Sequence, residues 1–318
     1  MIHINEQMTL ITPCFCAGAN QNVAEIRAAS IRGQLRWWFR VLGGTFEQEK
    51  ELFGGVHDEK DGKNNSNGHK GAKASKIVVR VRIKDEDKKH GKLEELPRQN
   101  SSLYYLFHFV RVSGDRRRYE SEGWLKEGTT FTIEVLSRLP MSSDEETQFL
   151  RTWNAFVNFG GLGLRQTRGL GSFAPQQRLD MNQLKLAMHE LERKGVYSWF
   201  IAGMNGQPIL TGNWKEAMIY LEAALGHVRQ HGFKSSDPTP LGGGGRTRQA
   251  SALHLRPVHL QEGYLPVLYY TPQVLAPQNA RGNQALLDLL NGNLPCKVPY
   301  KQKPDNPDTR NECRIMRV

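Results

Sequence analysis

The chain has 318 residues, 43 lysines and arginines against 32 aspartates and glutamates, and a formal charge of +11 with histidine neutral. An apolar content of 38% with 9% aromatics is too rich for a disordered chain, and no apolar run approaches the roughly 18 residues of a membrane span. The positive excess asks for an acidic partner.

At roughly 150 residues per domain, the length predicts two domains that fold without disulfide staples. The start, Met1 to Glu6, has no basic segment leading into an apolar one, so a cytoplasmic setting is expected. Cys14 and Cys16 are one residue apart, and Cys296 and Cys313 stand alone. No pair has zinc-ligand C-x-x-C spacing, so no metal is expected, and Cys14 and Cys16 read as small buried hydrophobes.

In chain order, residues 8 to 15 read as a strand. A helix follows, with Ser30 as a candidate cap and Ile31, Leu35, Trp38 and Leu42 recurring at helical spacing until Gly43 and Gly44. Residues 57 to 75 are polar and glycine-rich, and read as a flexible insertion. Strands are predicted over 77 to 83, 102 to 112 and 129 to 139. Ser142 to Glu146 supplies helix-start chemistry for a helix buried through Phe149, Trp153, Phe156 and Val157. That order predicts an α+β, ferredoxin-like or RRM-like sandwich.

A second cycle follows a helical connector over 181 to 194. It comprises a strand at 198 to 202, a helix at 214 to 231, a glycine-rich loop at 237 to 247, strands at 251 to 259 and 264 to 270, and a closing helix at 282 to 291. From 294 onward proline and charge dominate, predicting a loosely held tail over 296 to 318. Two domains are expected, 1 to 178 and 179 to 295.

Three segments carry chemistry. On the first helix Arg32, Arg36 and Arg40 form a row away from the apolar arc, with Arg27 just before it and no acid between Arg27 and Arg40. Guanidiniums one turn apart can follow the phosphates of a strand, and Trp37, off the arc, could stack a base. The bland reading is a solvated face tied to surface acids. The second segment runs from Gly160 through Gly161, Gly163, Arg165, Arg168, Gly169 and Gly171 to Phe173, where glycine amides and two arginines could cradle an anion. It has neither the Lys-Ser/Thr of a nucleoside-triphosphate loop nor G-x-G-x-x-G in register, so no cofactor is expected. The third runs from Leu241 through four glycines to Arg246 and Arg248.

Together these segments resemble the RAMP superfamily of CRISPR RNA-binding proteins and, within it, the family of the first-numbered subunit of type III-B Cmr effector complexes. The most specific likeness is the run from Ser30 to Arg40, with Arg-Gly-Gln-Leu-Arg-Trp-Trp-Phe-Arg; Phe15 to Gly18, Leu52 to Gly55, Gly163 to Phe173 and Arg248 to Pro257 extend it. The resemblance implies two ferredoxin-like RAMP domains with glycine-rich loops. It also implies a subunit of an antiviral ribonucleoprotein whose partners are guide RNA, complementary target RNA and other Cmr subunits. It places the chain near the 3′ part of the guide and implies no catalysis by this subunit. The insertion and the proline-rich tail match nothing in the family, and Ala252 stands where the family often has proline.

The superfamily also contains guide-processing ribonucleases. None of the chain's histidines pairs recognisably with a second histidine and a lysine, and Asp85 to Asp87 and Asp144 to Glu146 read as solvated acids. A DNA-binding regulator would need a helix-turn-helix or heptad pattern that the sequence lacks.

Overall fold

The structure is a computed structural model that describes residues 1–55, 73–97, 101, 103–112, 122–231, 233, 240–242, 250–274, 282–292, 295–297 and 312–317. Most of the predicted 57 to 75 insertion lies outside the described residues.

Strand β1 (His3–Leu10) leads through a loop to helix α1 (Ala28–Val41), and then come α2 (Phe46–Phe53), β2 (Ile77–Arg82), α3 (Tyr104–Val112), β3 (Thr130–Ser137), α4 (Ser143–Phe159) and β4 (Phe173–Pro175). The sheet order is β2-β3-β1-β4 with every neighbour antiparallel, the ferredoxin-like arrangement expected from the element order. Along β3 residues alternate between buried and half-buried, and Phe131, Ile133 and Val135 face a core shared with α1 and α4. Helix α1 buries Ile31, Leu35 and Trp38, as its spacing predicts. It starts three residues earlier than a Ser30 cap would place it, with Arg27 at the cap position and no side-chain cap bond. Helix α4 has the expected capping box, in which Ser142 and Glu145 exchange hydrogen bonds.

Residues 104 to 112 are a helix, not the predicted strand. Aromatic and β-branched residues favoured a strand, but Leu103, Leu106, Phe107 and Val110 are buried at helical spacing, so one packed face overrides local propensity.

The second unit contains α5 (Met181–Glu192), β5 (Tyr197–Gly203), α6 (Trp214–Gln230), β6 (Leu253–His259), β7 (Tyr264–Tyr270), α7 (Asn283–Asn291), β8 (Pro295–Lys297) and β9 (Glu312–Arg317). Its order, β6-β7-β5-β9-β8, repeats the ferredoxin-like pattern with β9 as fourth strand and β8 as an extra edge. The expectation of a loosely held tail is therefore corrected for residues 312–317. They lie inside the sheet beside β5, with Cys313 and Ile315 fully buried. A second unit ending at 295 would lack its fourth strand. Cys313 is disulfide-bonded, so it does not stand alone, and Cys296 is its register neighbour across the β8–β9 pair. Cys14 and Cys16 are free, with Cys14 buried.

The second sheet is covered on both faces, which explains the near-continuous burial of β5, β6 and β7. One face, through Phe200, Val267 and Tyr269, joins the core of the first unit and α5; the other, through Trp199, Leu255 and Tyr270, packs on α6, α7 and the apolar side of α3. The two units thus share a core. Among the described residues no helix is long and apolar enough to cross a membrane.

Candidate nucleic-acid interface

Two of the segments singled out in the sequence, the arginine helix and the glycine loop, meet the start of β6 at the junction of the two units. A cleft of about 460 Å³ is lined by Gln34, Trp37 and Arg40 from α1, by Gly161, Gln166 and Thr167 from the glycine loop, and by Ser251, His254 and Arg256 from the start of β6. The glycine loop is laced to β6 by the Leu255 amide, which donates to the Thr167 carbonyl at 3.1 Å.

Two buried guanidiniums cross this junction in opposite directions. Arg168, from the first unit, donates to the carbonyl oxygens of Leu241 at 2.7 Å and Leu253 at 3.4 Å and to the Ser251 hydroxyl at 3.3 Å. Arg256, from the second, donates to the Phe159 carbonyl at 2.7 Å and the Ser172 hydroxyl at 2.5 Å. Burial, with the nearby Arg229 charge, pushes Arg168 down to about 10, so it stays protonated at neutral pH. The expectation that Arg168 faces a ligand is corrected: its fork is spent inside the protein, because carbonyls of the second unit surround it.

The glycines serve packing as much as ligand approach. A Cβ on Gly161 would lie 2.8 Å from the Arg256 guanidinium, so glycine there admits the arginine. Gly171 has a φ of +64°, and a Cβ would overlap the Leu162 carbonyl, so both handedness and space require glycine. Gly163 and Gly169 also have positive φ and press against Phe15 and Met218.

The arginine row is less free than its own helix suggests. Glu49 on α2 receives the Arg36 Nε at 2.5 Å and an Arg40 terminal nitrogen at 2.7 Å, and its carboxylate is almost wholly buried. Burial pushes the Glu49 carboxyl up, but the bonds and charges of Arg40 and Arg36 outweigh this and hold it below its usual range. Arg32 donates to the Phe53 carbonyl at 2.5 Å. One carboxylate against two guanidiniums leaves a positive excess, and Arg40, half exposed, keeps free donors at the cleft wall. Glu49 escaped the sequence reading because its partnership is tertiary.

Trp37 sits half-buried at the cleft, edge-on to Trp38 and 5.4 Å from the His254 ring. His254 stacks on Tyr269 at 4.5 Å and shares a 3.2 Å hydrogen bond with Thr271. Burial, then the Arg256 and Arg168 charges, push it down to about 3, so its imidazole is neutral. Arg27 and Gly163 line a separate cleft of about 250 Å³ with Cys16 and Ser30. Arg165 points to a different face, toward α3. Arg246 and Arg248 lie outside the described residues. The residues the sequence reading did not single out are Gln34 on α1 itself and Thr167, His254, Arg256 and Tyr269, which only the fold brings beside that helix.

The histidines are mostly scattered, but His227 on α6 and His231, which caps that helix, lie with ring centroids 4.2 Å apart, with a His231 ring nitrogen on the His227 carbonyl. Among the described residues no cluster of three histidines, cysteines or carboxylates could hold a metal.

Paired ferredoxin-like units closing on a basic cleft define an α+β protein of RRM-like architecture. The RAMP superfamily profile matches residues 7–174, and the chain belongs to that superfamily. It is homologous to subunits of a CRISPR Cmr system from Pyrococcus furiosus. It is 30% identical over 195 residues to Cmr1-2, spanning 54% of this chain and 94% of that subunit. It is 28% identical to Cmr1-1 over 157 residues, spanning 46% of this chain and 40% of that protein. The fold is shared with the apo crystal structure of Cmr1 from the same organism, at a TM-score of 0.57 and 15% identity over 85% of this chain and 88% of that one. It is also shared with a chain of a type III-B Cmr-β complex bound to cognate target RNA, at 0.53 and 10% identity over 84% and 94%.

Proposed function

We propose that this chain is a non-catalytic, RNA-binding subunit of a type III-B Cmr effector ribonucleoprotein, contacting the guide RNA toward its 3′ region and the target RNA. The observation that carries this is the meeting of the arginine helix, the glycine loop and the β6 entry on one cleft whose wall holds Arg40 and Trp37. A guanidinium with spare donors and a half-buried indole are the two devices by which proteins hold a single strand without reading its bases. Kinship with Cmr1 subunits supports the same reading. We place the boundary between the units near residue 178, with the second extending through β9.

The non-catalytic part rests on the cleft histidine. A general base works best with a pKa near the operating pH, and His254, near 3 and bonded to Thr271, is a poor one. Neither a nucleotide cofactor nor a metal is part of this function.

The test is filter retention of a labelled guide-type RNA by the purified chain. Binding should weaken linearly on a log–log salt plot, by about 0.7 per phosphate contact for a single strand, with the RNA left intact. Arg40→Ala should flatten that slope. No retention at low salt would end the RNA-binding reading, and discrete metal-independent products would replace it with a guide-processing nuclease.

A further inference from the structure

The tip of the glycine loop leaves a group of charges that the cleft does not use. Arg165 is the non-glycine residue with a left-handed backbone among those described, at a φ of 58°. Its carbonyl receives the amides of Arg168 at 2.8 Å and Leu170 at 3.4 Å, so the turn is closed from within. An arginine held there against its conformational preference suggests that its side chain is needed at that spot. Its guanidinium lies 5.2 Å from the ring centre of Tyr105 and 5.5 Å from that of Phe109, both on α3.

A second cation meets the same ring from α6. The Arg229 guanidinium is 5.0 Å from the Tyr105 centroid and donates to the phenol oxygen at 3.1 Å. Tyr105 is 41% exposed, so the group opens to solvent. Burial pushes the Tyr105 phenol up, but the Arg229 hydrogen bond and the charges of Arg229, Arg168 and Arg165 bring it below its usual value. Arg168 lies behind, making three guanidiniums within mutual reach.

One acid faces them. Glu222 on α6 feels all three charges, yet burial pushes its carboxyl up and its Oε1 is buried with no hydrogen-bond partner. Neither Arg165 nor Arg229 has a carboxylate within ion-pair distance among the described residues. Three gathered cations repel one another, and even an ionised Glu222 leaves an excess of two. Such an arrangement is completed by an anion from outside.

We propose that Tyr105, Arg165 and Arg229 form a second anion seat, separate from the junction cleft, that holds the phosphodiester backbone of single-stranded RNA. This rests on the RNA-binding reading above. RNA is favoured over an acidic protein segment because Arg165 belongs to the same loop whose Gln166 and Thr167 line the cleft, so one strand can run from the cleft over the loop tip.

The experiment compares the unaltered chain with an Arg165→Gly/Arg229→Gln variant by fluorescence anisotropy on a labelled single-stranded guide-type RNA across a salt series. Glycine tolerates the left-handed backbone, so the loop keeps its course; Tyr105→Phe, which keeps the ring and removes the hydroxyl, is the second variant. The double variant should bind about tenfold more weakly at low salt, with a log–log slope smaller by about 1.4, which is two contacts. Tyr105→Phe, having freed Arg229, should bind several-fold more weakly. Normal binding with an unchanged slope in both variants overturns this seat alone and leaves an acidic protein segment as its anion. Failure of the unaltered chain to bind any RNA overturns the seat together with the reading beneath it.

Discussion

Within one short loop Arg168 and Arg165 meet opposite surroundings, and the contrast extends to the two regions they belong to. In the junction interior, Arg168 and Arg256 are dry, and their terminal nitrogens donate to carbonyl and hydroxyl oxygens of the opposite unit. At the rim, Arg40 keeps donors free beside Glu49, and Arg165 lies against rings and like charges with no carboxylate at ion-pair distance among the described residues. Residue type is constant across the two regions; what differs is the supply of acceptors. A buried guanidinium without acceptors would be intolerably costly, so interior arginines must be structural. An exposed one without acceptors is stable in water and ready for a ligand.

The comparison breaks most visibly if an interior arginine proves dispensable. Arg168→Leu removes three donated hydrogen bonds to the second unit, and bonds to charged groups contribute about 1.5–3 kcal/mol each without full additivity. Relief of repulsion from Arg229 and Arg165 returns part of that. A net loss of about 3 kcal/mol is expected in chemical denaturation. A denaturation midpoint that stays in place would show that the guanidinium does not fasten the units.

His254 extends the test to pH. An unfolded imidazole takes its proton near 6.5, whereas the buried ring resists until about 3. Between those values the unfolded chain binds more protons, so stability falls as the pH falls. It is fully present above about 6.5, and at most about 1.4 kcal/mol is lost per unit below that. His259, pushed down to about 4 mainly by burial, acts in the same direction. Denaturation measured from pH 7 to 4.5 should show this slope, and His254→Gln should flatten it. An equal slope in the variant would mean that the junction interior admits water and protons.

Much of this architecture was legible because hydrophobic spacing reports burial directly. Ile31, Leu35 and Trp38 on α1 and Phe149, Trp153 and Phe156 on α4 announce their buried faces, and Ser142 with Glu145 announces a helix start. The failures have a common physical origin in partners far away in sequence. Tyr104 to Val112 carries strand-like residues, yet Leu106 and Val110 are drawn onto the core of the second unit as a helix. Strand β9 is short and follows a proline-rich stretch, although the alternation of Cys313 and Ile315 with Arg314 and Met316 carried its signal. The arginine helix and the glycine loop, both singled out from the sequence, line one cleft. Which guanidiniums turn inward was not legible, since Glu49, Leu241 and Phe159 become neighbours only on folding.

The smallest expected effect on stability is the sharpest discriminator. At Arg165 a side chain in the left-handed region costs about 1–2 kcal/mol, which glycine removes. Glycine returns about 0.5–1 kcal/mol through its larger unfolded-state entropy, and the contacts with Tyr105 and Phe109 account for a similar amount. These nearly cancel, so Arg165→Gly should match the parent in denaturation within about 1 kcal/mol while losing one phosphate contact. Arg168→Leu should do the reverse, since its side chain never reaches the solvent edge. If Arg165→Gly instead unfolds the loop with no specific loss of RNA, the rim arginine is a structural member like its neighbour, and acceptor supply does not separate the two regions.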